Sequence, residues 1–198
     1  MKIIEPSAEL FDFVDTEAVM KKLEACGRVS HQSEPRENSA EKFVRMLIKR
    51  GHESVLEHVS LTFHIICDRA IQNELVRHRH ASFTVESTRY VDYDELEVIQ
   101  PPDIITGKIG GMEWVNFVER AESAYDTLRV MSVRPEQARA VLPNCLKSEL
   151  YMTANLREWR HILKLRTDKA AHPQMRQVMN QVLAVFKEKL PVIVEDIP

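Results

Sequence analysis

The residues of this sequence that are best suited to binding or catalysis lie in one stretch, Arg77 to Tyr90. It holds three arginines, two histidines, two serines and one glutamate within fourteen positions. Guanidinium groups are planar donor forks suited to a phosphate or an imide edge, and the neighbouring hydroxyl groups add neutral donors and acceptors. The mixture favours a phosphorylated heterocycle as ligand, although a solvated basic surface would contain many of the same residues.

Overall charge restricts the kind of ligand. The 198-residue chain has a formal net charge of -3, so its basic stretch is a local concentration within an acidic background. Such a balance argues against broad electrostatic capture of nucleic acid. We therefore expect a small anionic ligand and no nucleic-acid partner.

The cysteines and histidines do not follow a metal-binding or disulfide pattern. Cys26, Cys67 and Cys145 are widely spaced, and His52 and His58 are six residues apart. A zinc site of the HExxH type requires histidines four apart on one helical face, and an odd number of scattered thiols suggests a reducing compartment. We expect no metal, a cytoplasmic location and, without an apolar run of about 20 residues, no membrane partner.

Two segments alternate in the manner of half-buried strands. From Val59 to Asp68 every second residue is apolar, and Leu146 to Ala154 repeats the alternation. A period of two places such residues on one face of a sheet. The segments are therefore expected to pair within one α/β domain that spans residues 1–198.

Helical spacing accounts for most of the remaining chain. The first helix begins at Thr16 and is expected to stop at Gly27, and Arg69 to Val76 forms a short helix that delivers the arginines at its C-terminal end. A later helical stripe is expected in the core, namely Trp114, Phe117, Val118, Ala121, Tyr125 and Leu128. Asn155 occupies an N-cap position for a helix that continues to Arg166.

Several motifs together resemble one family. Residues 77–89 match the RHRxxSxxxxSxR signature of the flavin-dependent thymidylate synthases. Further blocks occur in the family's order, namely Gly51-His52-Glu53-Ser54, Ala138-Arg139-x-Val141-Leu142-Pro143, Asn155-Leu156-Arg157 and Ala171-His172-Pro173-Gln174. The resemblance therefore covers most of the chain.

The resemblance implies an enzyme and its ligands. It implies a small, mostly antiparallel sheet flanked by long helices, and a homotetramer with active sites where subunits meet. The implied reaction is the reductive methylation of dUMP to dTMP, with FAD as cofactor, methylenetetrahydrofolate as one-carbon donor, NADPH as reductant and no cysteine nucleophile. A nucleic-acid-binding module and a flavin reductase without methyl transfer are the alternatives.

The resemblance also assigns residues by position. The implied FAD contacts are Ser54, Arg77, His78, Arg79, Asn155, Arg157 and His161. The implied dUMP contacts are Glu74, Arg77, Glu86, Ser87, Thr88, Arg89, Arg139 and Arg166. Within this set Arg166 would stabilise the ionised imide and Ser87 would position dUMP. Glu74 stands where many relatives have glutamine.

Overall fold

Helices and short strands alternate along the chain, which the computed structural model describes over residues 1–105 and 107–198. The helices are Thr16–Arg28 (α1), Ala40–Lys49 (α2), Arg69–Leu75 (α3), Ile109–Val130 (α4), Pro135–Ala138 (α5), Leu156–Arg166 (α6), Pro173–Lys189 (α7) and Pro191–Val194 (α8), with 3-10 helices at Val29–His31, Glu53–His58 and Arg139–Val141. The strands are Lys2–Ile4 (β1), Ser7–Leu10 (β2), Ser60–Asp68 (β3), Ala81–Val85 (β4), Glu97–Ile99 (β5) and Lys147–Asn155 (β6).

The main sheet has four strands in the order β2-β3-β6-β4 and is antiparallel. The two alternating segments of the sequence, β3 and β6, are neighbours in it, as their pattern predicts. Their alternate residues are buried, with Phe63 and Met152 inaccessible to solvent. The α/β class with a small antiparallel sheet and long helices is thereby confirmed.

The chain divides into two compact units. The first contains Met1–Ser7, Ile65–Arg77 and Thr84–Leu150. In this unit β1 pairs in parallel with β5, and Leu96, Val98, Val118 and Leu146 form a buried cluster. The unit holds α3 and α4. Arg77, the first residue of the arginine-rich stretch, directly follows the C-cap of α3.

The second unit contains Ala8–His64, His78–Phe83 and Tyr151–Pro198. Its core is marked by three rings, those of Phe63, Trp159 and Phe186, whose centroids lie 5.0 to 6.1 Å apart. The indole nitrogen of Trp159 donates to the carbonyl of Leu61 at 3.0 Å, which satisfies its buried donor. This core fixes α6. The interpretation of residues 1–198 as one domain stays a prediction.

Local signals placed several helix ends correctly. Asn155 accepts a hydrogen bond from the Glu158 backbone nitrogen at 2.9 Å, so it caps α6 as predicted. Gly27 does not end α1, which continues to Arg28. A Cβ atom at Gly27 would lie 2.7 Å from Cε1 of Phe43, so the glycine is required by close packing against α2.

The predicted core stripe of α4 is confirmed at Val118, Ala121 and Tyr125, which are buried, but it is wrong at Phe117, which is 59% exposed. Within the described residues, no helix combines the length and apolar character required to cross a membrane.

Candidate active site

The nucleotide-binding candidates of the first unit begin at the end of α3. Arg77 follows the C-cap Val76, and its backbone nitrogen donates to the Glu74 carbonyl at 3.2 Å. Its side chain is exposed and forms no ion pair within residues 1–105 and 107–198. An exposed guanidinium at the carbonyl end of a helix is available for an anionic ligand.

A turn at Ser87 organises the next candidates. The Ser87 carbonyl accepts from the backbone nitrogens of Tyr90 and Val91 at 3.1 and 3.0 Å. Its hydroxyl oxygen accepts from the Arg89 backbone nitrogen at 3.3 Å. Arg89 is exposed, and its guanidinium lies 5.5 Å from the centre of the Tyr90 ring. The turn therefore presents a hydroxyl and a guanidinium side by side.

Arg139 is brought to the same turn from a distant part of the sequence. Its Nη1 atom donates to the hydroxyl of Thr88 at 3.1 Å, and its Nε atom donates to the Glu136 carbonyl at 3.2 Å. Thr88 is only 5% exposed. Two residues assigned to one nucleotide by resemblance are thus in direct contact.

Glu86 is held in place by a charged partner. Its carboxylate accepts from Lys147 Nζ and from the Tyr93 hydroxyl, each at 2.8 Å. Burial, followed by the hydrogen bond to Glu86, raises the pKa of Tyr93 above its ordinary value, so the phenol stays a donor. Lys147 Nζ also donates to Glu149 at 2.9 Å, so it offsets part of the negative charge of Glu86 near an anionic nucleotide.

A separate cleft of about 650 Å³ lies within the second unit. Its lining residues come from the 3-10 helix Glu53–His58, from His80 and from α6, namely Glu53, Glu57, His80, Asn155, Arg157, Glu158, Arg160, His161 and Lys164. The volume lies within the range usual for small-molecule sites. Three of the predicted FAD contacts, Asn155, Arg157 and His161, therefore share one cavity.

The cations of this cleft have carboxylate partners. Arg157 donates to Glu57 at 2.6 Å, and both side chains are about half exposed. The buried Arg160 donates to Glu53 and Asp196, and its hydrogen bond holds the pKa of Asp196 well below the ordinary value. Since exposed pairs contribute little stability, Arg157 can exchange Glu57 for a ligand at low cost, whereas Arg160 is structural.

His78 links the arginine-rich stretch to α6. It is 7% exposed, its Nε2 atom accepts from Arg166 Nε at 3.0 Å, and its Nδ1 atom lies 3.7 Å from a Glu158 carboxylate oxygen. Burial, then the charges of Arg166 and His161, lowers the pKa of His78 to about 4. The imidazole is therefore neutral at pH 7.

The groups around His78 include three potential metal ligands. Atoms of His78, Glu158 and His161 that could each bind a metal lie within 4.8 Å of one another. However, the bond from Arg166 to Nε2 leaves the imidazole proton on Nδ1, the nitrogen that faces Glu158. This proton arrangement opposes metal binding at Nδ1, and the expectation of no metal stays a prediction.

The thiols of Cys67 and Cys145 are poor nucleophiles. Burial raises the pKa of Cys145 to about 11 and raises that of Cys67 further above the ordinary value of 9.0. A thiol, unlike a thiolate, attacks carbon weakly. These two side chains therefore do not support catalysis by a cysteine.

The structure brings some of the predicted site residues together and leaves others apart. Thr88 and Arg139 are bonded to each other, and Asn155, Arg157 and His161 share the cleft. The other predicted FAD contacts, Ser54, Arg77, His78 and Arg79, are not among the residues that line that cleft. Ser54 and Arg79 are exposed and form no side-chain hydrogen bond within the described part of the chain. All these roles stay predictions.

Sequence reasoning missed several lining residues. Glu53, Glu57, His80, Glu158 and Arg160 line the cleft but were assigned no role. One signal was available, because Glu53 lies in a matched block. Lys164 also lines the cleft, and the sequence placed it on one helical face with Arg157 and His161. A carboxylate such as Glu158 carried no signal of its own, because its partner His78 lies far away in the sequence.

Fold and site together define an α/β protein with guanidinium groups arranged for an anionic ligand and a cleft lined by α6. The family model of the thymidylate synthase complementing proteins, Thy1, matches residues 12–192. The chain therefore belongs to this family, as its motifs predicted.

Individual relatives agree with the family match. A probable flavin-dependent thymidylate synthase of Mycobacterium phage L5 is 34% identical over 186 residues, which cover 87% of this chain and 76% of the relative. One of Mycobacterium phage D29 is 36% identical over 171 residues, 79% of this chain and 72% of the relative. A flavin-dependent thymidylate synthase of Mycolicibacterium gilvum (strain PYR-GCK) is 33% identical over 195 residues, 88% of this chain and 78% of the relative.

Proposed function

We propose that this protein is a flavin-dependent thymidylate synthase that converts dUMP to dTMP. The family match over residues 12–192 and the names of the relatives support the activity. The contact between Arg139 and Thr88 is the structural observation that carries the proposal, because it joins two separate motifs assigned to dUMP.

The nucleotide would be held by guanidinium groups and hydroxyls. Arg77 and Arg89 bind the phosphate, Arg139 and Thr88 orient the nucleotide, and Ser87 positions the base. Carbon 5 of uracil becomes nucleophilic when electron density moves from N3 and O4, so a cation at the imide lowers the barrier. Arg166 has this role in the proposal. Glu74 and Glu86 would accept hydrogen bonds from neutral parts of the nucleotide.

The flavin is FAD in this proposal, and the residues present fit it. Asn155, Arg157 and His161 offer polar groups within a cleft of ligand size. Ser54, Arg77, His78 and Arg79 would add the contacts that the family motifs imply. Bound FAD would supply the hydride for the methyl group. The protein's contribution is to bind, orient and exclude water.

Two co-substrates and an assembly complete the proposal. Methylenetetrahydrofolate donates the one-carbon unit, and NADPH restores the reduced flavin. A homotetramer would complete each active site at a subunit interface. The cytoplasmic location inferred from the unpaired cysteines stays a prediction.

Replacing Arg166 tests the reaction directly. We expect Arg166→Ala to lower dTMP formation by about a hundredfold or more, the usual effect of losing a group that stabilises transition-state charge. Flavin absorbance of the purified variant should remain. The control is Arg50→Ala, which removes an exposed arginine at the end of α2.

The same assay separates the alternatives. Normal dTMP formation by Arg166→Ala would refute the role of Arg166. A wild-type protein that oxidises NADPH but forms no dTMP from dUMP and methylenetetrahydrofolate would be a flavin reductase. Salt-sensitive binding of oligonucleotides without turnover would instead indicate a nucleic-acid-binding module.

A further inference from the structure

One hydrogen bond fixes the protonation pattern around His78. Arg166 donates from Nε to Nε2 of His78 at 3.0 Å. A guanidinium group has donors but no acceptor, so Nε2 must be the unprotonated nitrogen. In a neutral imidazole the proton then resides on Nδ1. His78 therefore has one defined tautomer.

Glu158 favours the same tautomer. Its carboxylate oxygen lies 3.7 Å from Nδ1, the protonated nitrogen, and the two side chains are only 12% and 6% exposed. A negative charge attracts an N–H dipole more strongly where water is largely excluded. Moving the proton to Nε2 would remove this attraction and would also break the bond to Arg166.

The three groups are held on rigid structure. Glu158 and Arg166 both belong to α6, so the helix fixes their separation. His161, also on α6, lies beside His78 with ring centroids 6.1 Å apart. His78 is buried against these residues. The imidazole consequently has little freedom to rotate away from Arg166.

We infer that His78 and Glu158 are positioning residues for Arg166: the Glu158 carboxylate keeps the His78 proton on Nδ1, and Nε2 then orients the guanidinium that acts on the uracil imide. This inference rests on the proposed function. It assigns a role to Glu158, which the motifs leave without one, and a second role to His78.

The consequence is geometric control of catalysis. A guanidinium whose Nε–H is bound to a fixed acceptor has its plane defined, and its terminal amino groups then donate in fixed directions. Orientation of this kind lowers the barrier because the donors are already in place when charge develops. Losing it should reduce kcat while nucleotide and flavin affinity change little.

The first test compares two amides at position 78. In His78→Gln the longer side chain can place an oxygen near the position of Nε2 and accept from Arg166. In His78→Asn the shorter side chain reaches only the Nδ1 side. We expect kcat for dTMP to fall roughly tenfold to a hundredfold in His78→Asn, as for a lost hydrogen bond to a charged group, and less in His78→Gln.

The second test uses Glu158→Gln and a spectroscopic reporter. The fluorine NMR signal of 5-fluoro-dUMP changes when its N3–H ionises, so a pH titration of the bound nucleotide measures the pKa of the imide. We expect a well-oriented Arg166 to lower this pKa in the wild type. Glu158→Gln should shift it back toward the value of the free nucleotide. Glu188→Gln, an exposed glutamate on α7, is the matched control.

The outcomes separate the inference from the function on which it rests. If the wild type neither forms dTMP nor binds 5-fluoro-dUMP, the proposed function fails. If the wild type is active but Glu158→Gln and His78→Asn retain its kcat and imide pKa, the positioning role is wrong. Stoichiometric Zn²⁺ binding that Glu158→Gln abolishes would also overturn it, because a metal and a proton cannot both occupy Nδ1.

Discussion

At the scale of single residues, the site depends on which groups are charged. His78 is neutral because burial and the neighbouring Arg166 and His161 oppose its protonation. Glu86 accepts a hydrogen bond from Lys147 at 2.8 Å. Both residues have partners that are remote in sequence, so the sequence indicated the residue types but not their surroundings.

His78 should make the stability of the fold depend on pH. Its pKa is about 4 in the folded protein and 6.5 ordinarily, so between these values the unfolded chain binds more protons. The free energy of unfolding should fall as pH falls from 6.5 to 4, by on the order of 1 kcal/mol per pH unit from this group. Urea unfolding at pH 7 and pH 5 measures it. An equal pH dependence in His78→Gln would contradict this attribution.

Cys145 should be dispensable for chemistry. Burial keeps it a thiol at neutral pH, and it packs against the buried cluster of the first unit. We expect Cys145→Ser to keep kcat within roughly a factor of ten, a barrier change below about 1.4 kcal/mol, while its thermal midpoint decreases. Complete loss of turnover in a folded variant would restore a thiolate mechanism.

At the scale of elements, local signals were sufficient for some boundaries and insufficient for others. Gly51 follows the C-cap of α2 with a φ of 73°, a conformation that glycine adopts readily, so its type is a local signal for the end of this helix. The role of Gly27 depends on Phe43 in another helix, which no local pattern reveals. Likewise Thr88 and Arg139 are 51 residues apart, and His78 and Arg166 are 88 apart. Of these two pairs, only Thr88 and Arg139 were connected beforehand, because the family motifs assign both to the nucleotide.

Two glycine substitutions should have opposite effects. Gly27→Ala places a methyl group 2.7 Å from Phe43, so we expect a loss of about 1 to 3 kcal/mol in unfolding free energy from overpacking. Gly110→Ala, in the first turn of α4, meets no atom within 4 Å and should gain up to about 1 kcal/mol in helix propensity. Chemical denaturation measures both. A neutral Gly27→Ala would show that α1 and α2 adjust without cost.

At the scale of the whole molecule, several large apolar side chains are exposed in the single chain. They include Phe13 on the segment before α1 and Ile109, Met112 and Phe117 on α4. Exposed apolar surface of this kind is often buried when subunits associate. The proposed tetramer would provide that burial.

Sedimentation equilibrium tests the assembly. We expect a mass four times that of the 23.0 kDa chain at micromolar concentration, because the apolar side chains on α4 favour association. A protein that remains at 23.0 kDa at every concentration would contradict the tetramer. It would also require each active site to be complete within one chain.

The positions of the two tryptophans give each compact unit its own optical label. Trp114 belongs to the first unit, where it is partly buried, and Trp159 lies in the aromatic core of the second. Replacing either one with phenylalanine leaves fluorescence that reports on a single unit. Coincident melting curves for the two labels would show cooperative unfolding of the entire polypeptide, and separated curves would show that the halves unfold in succession.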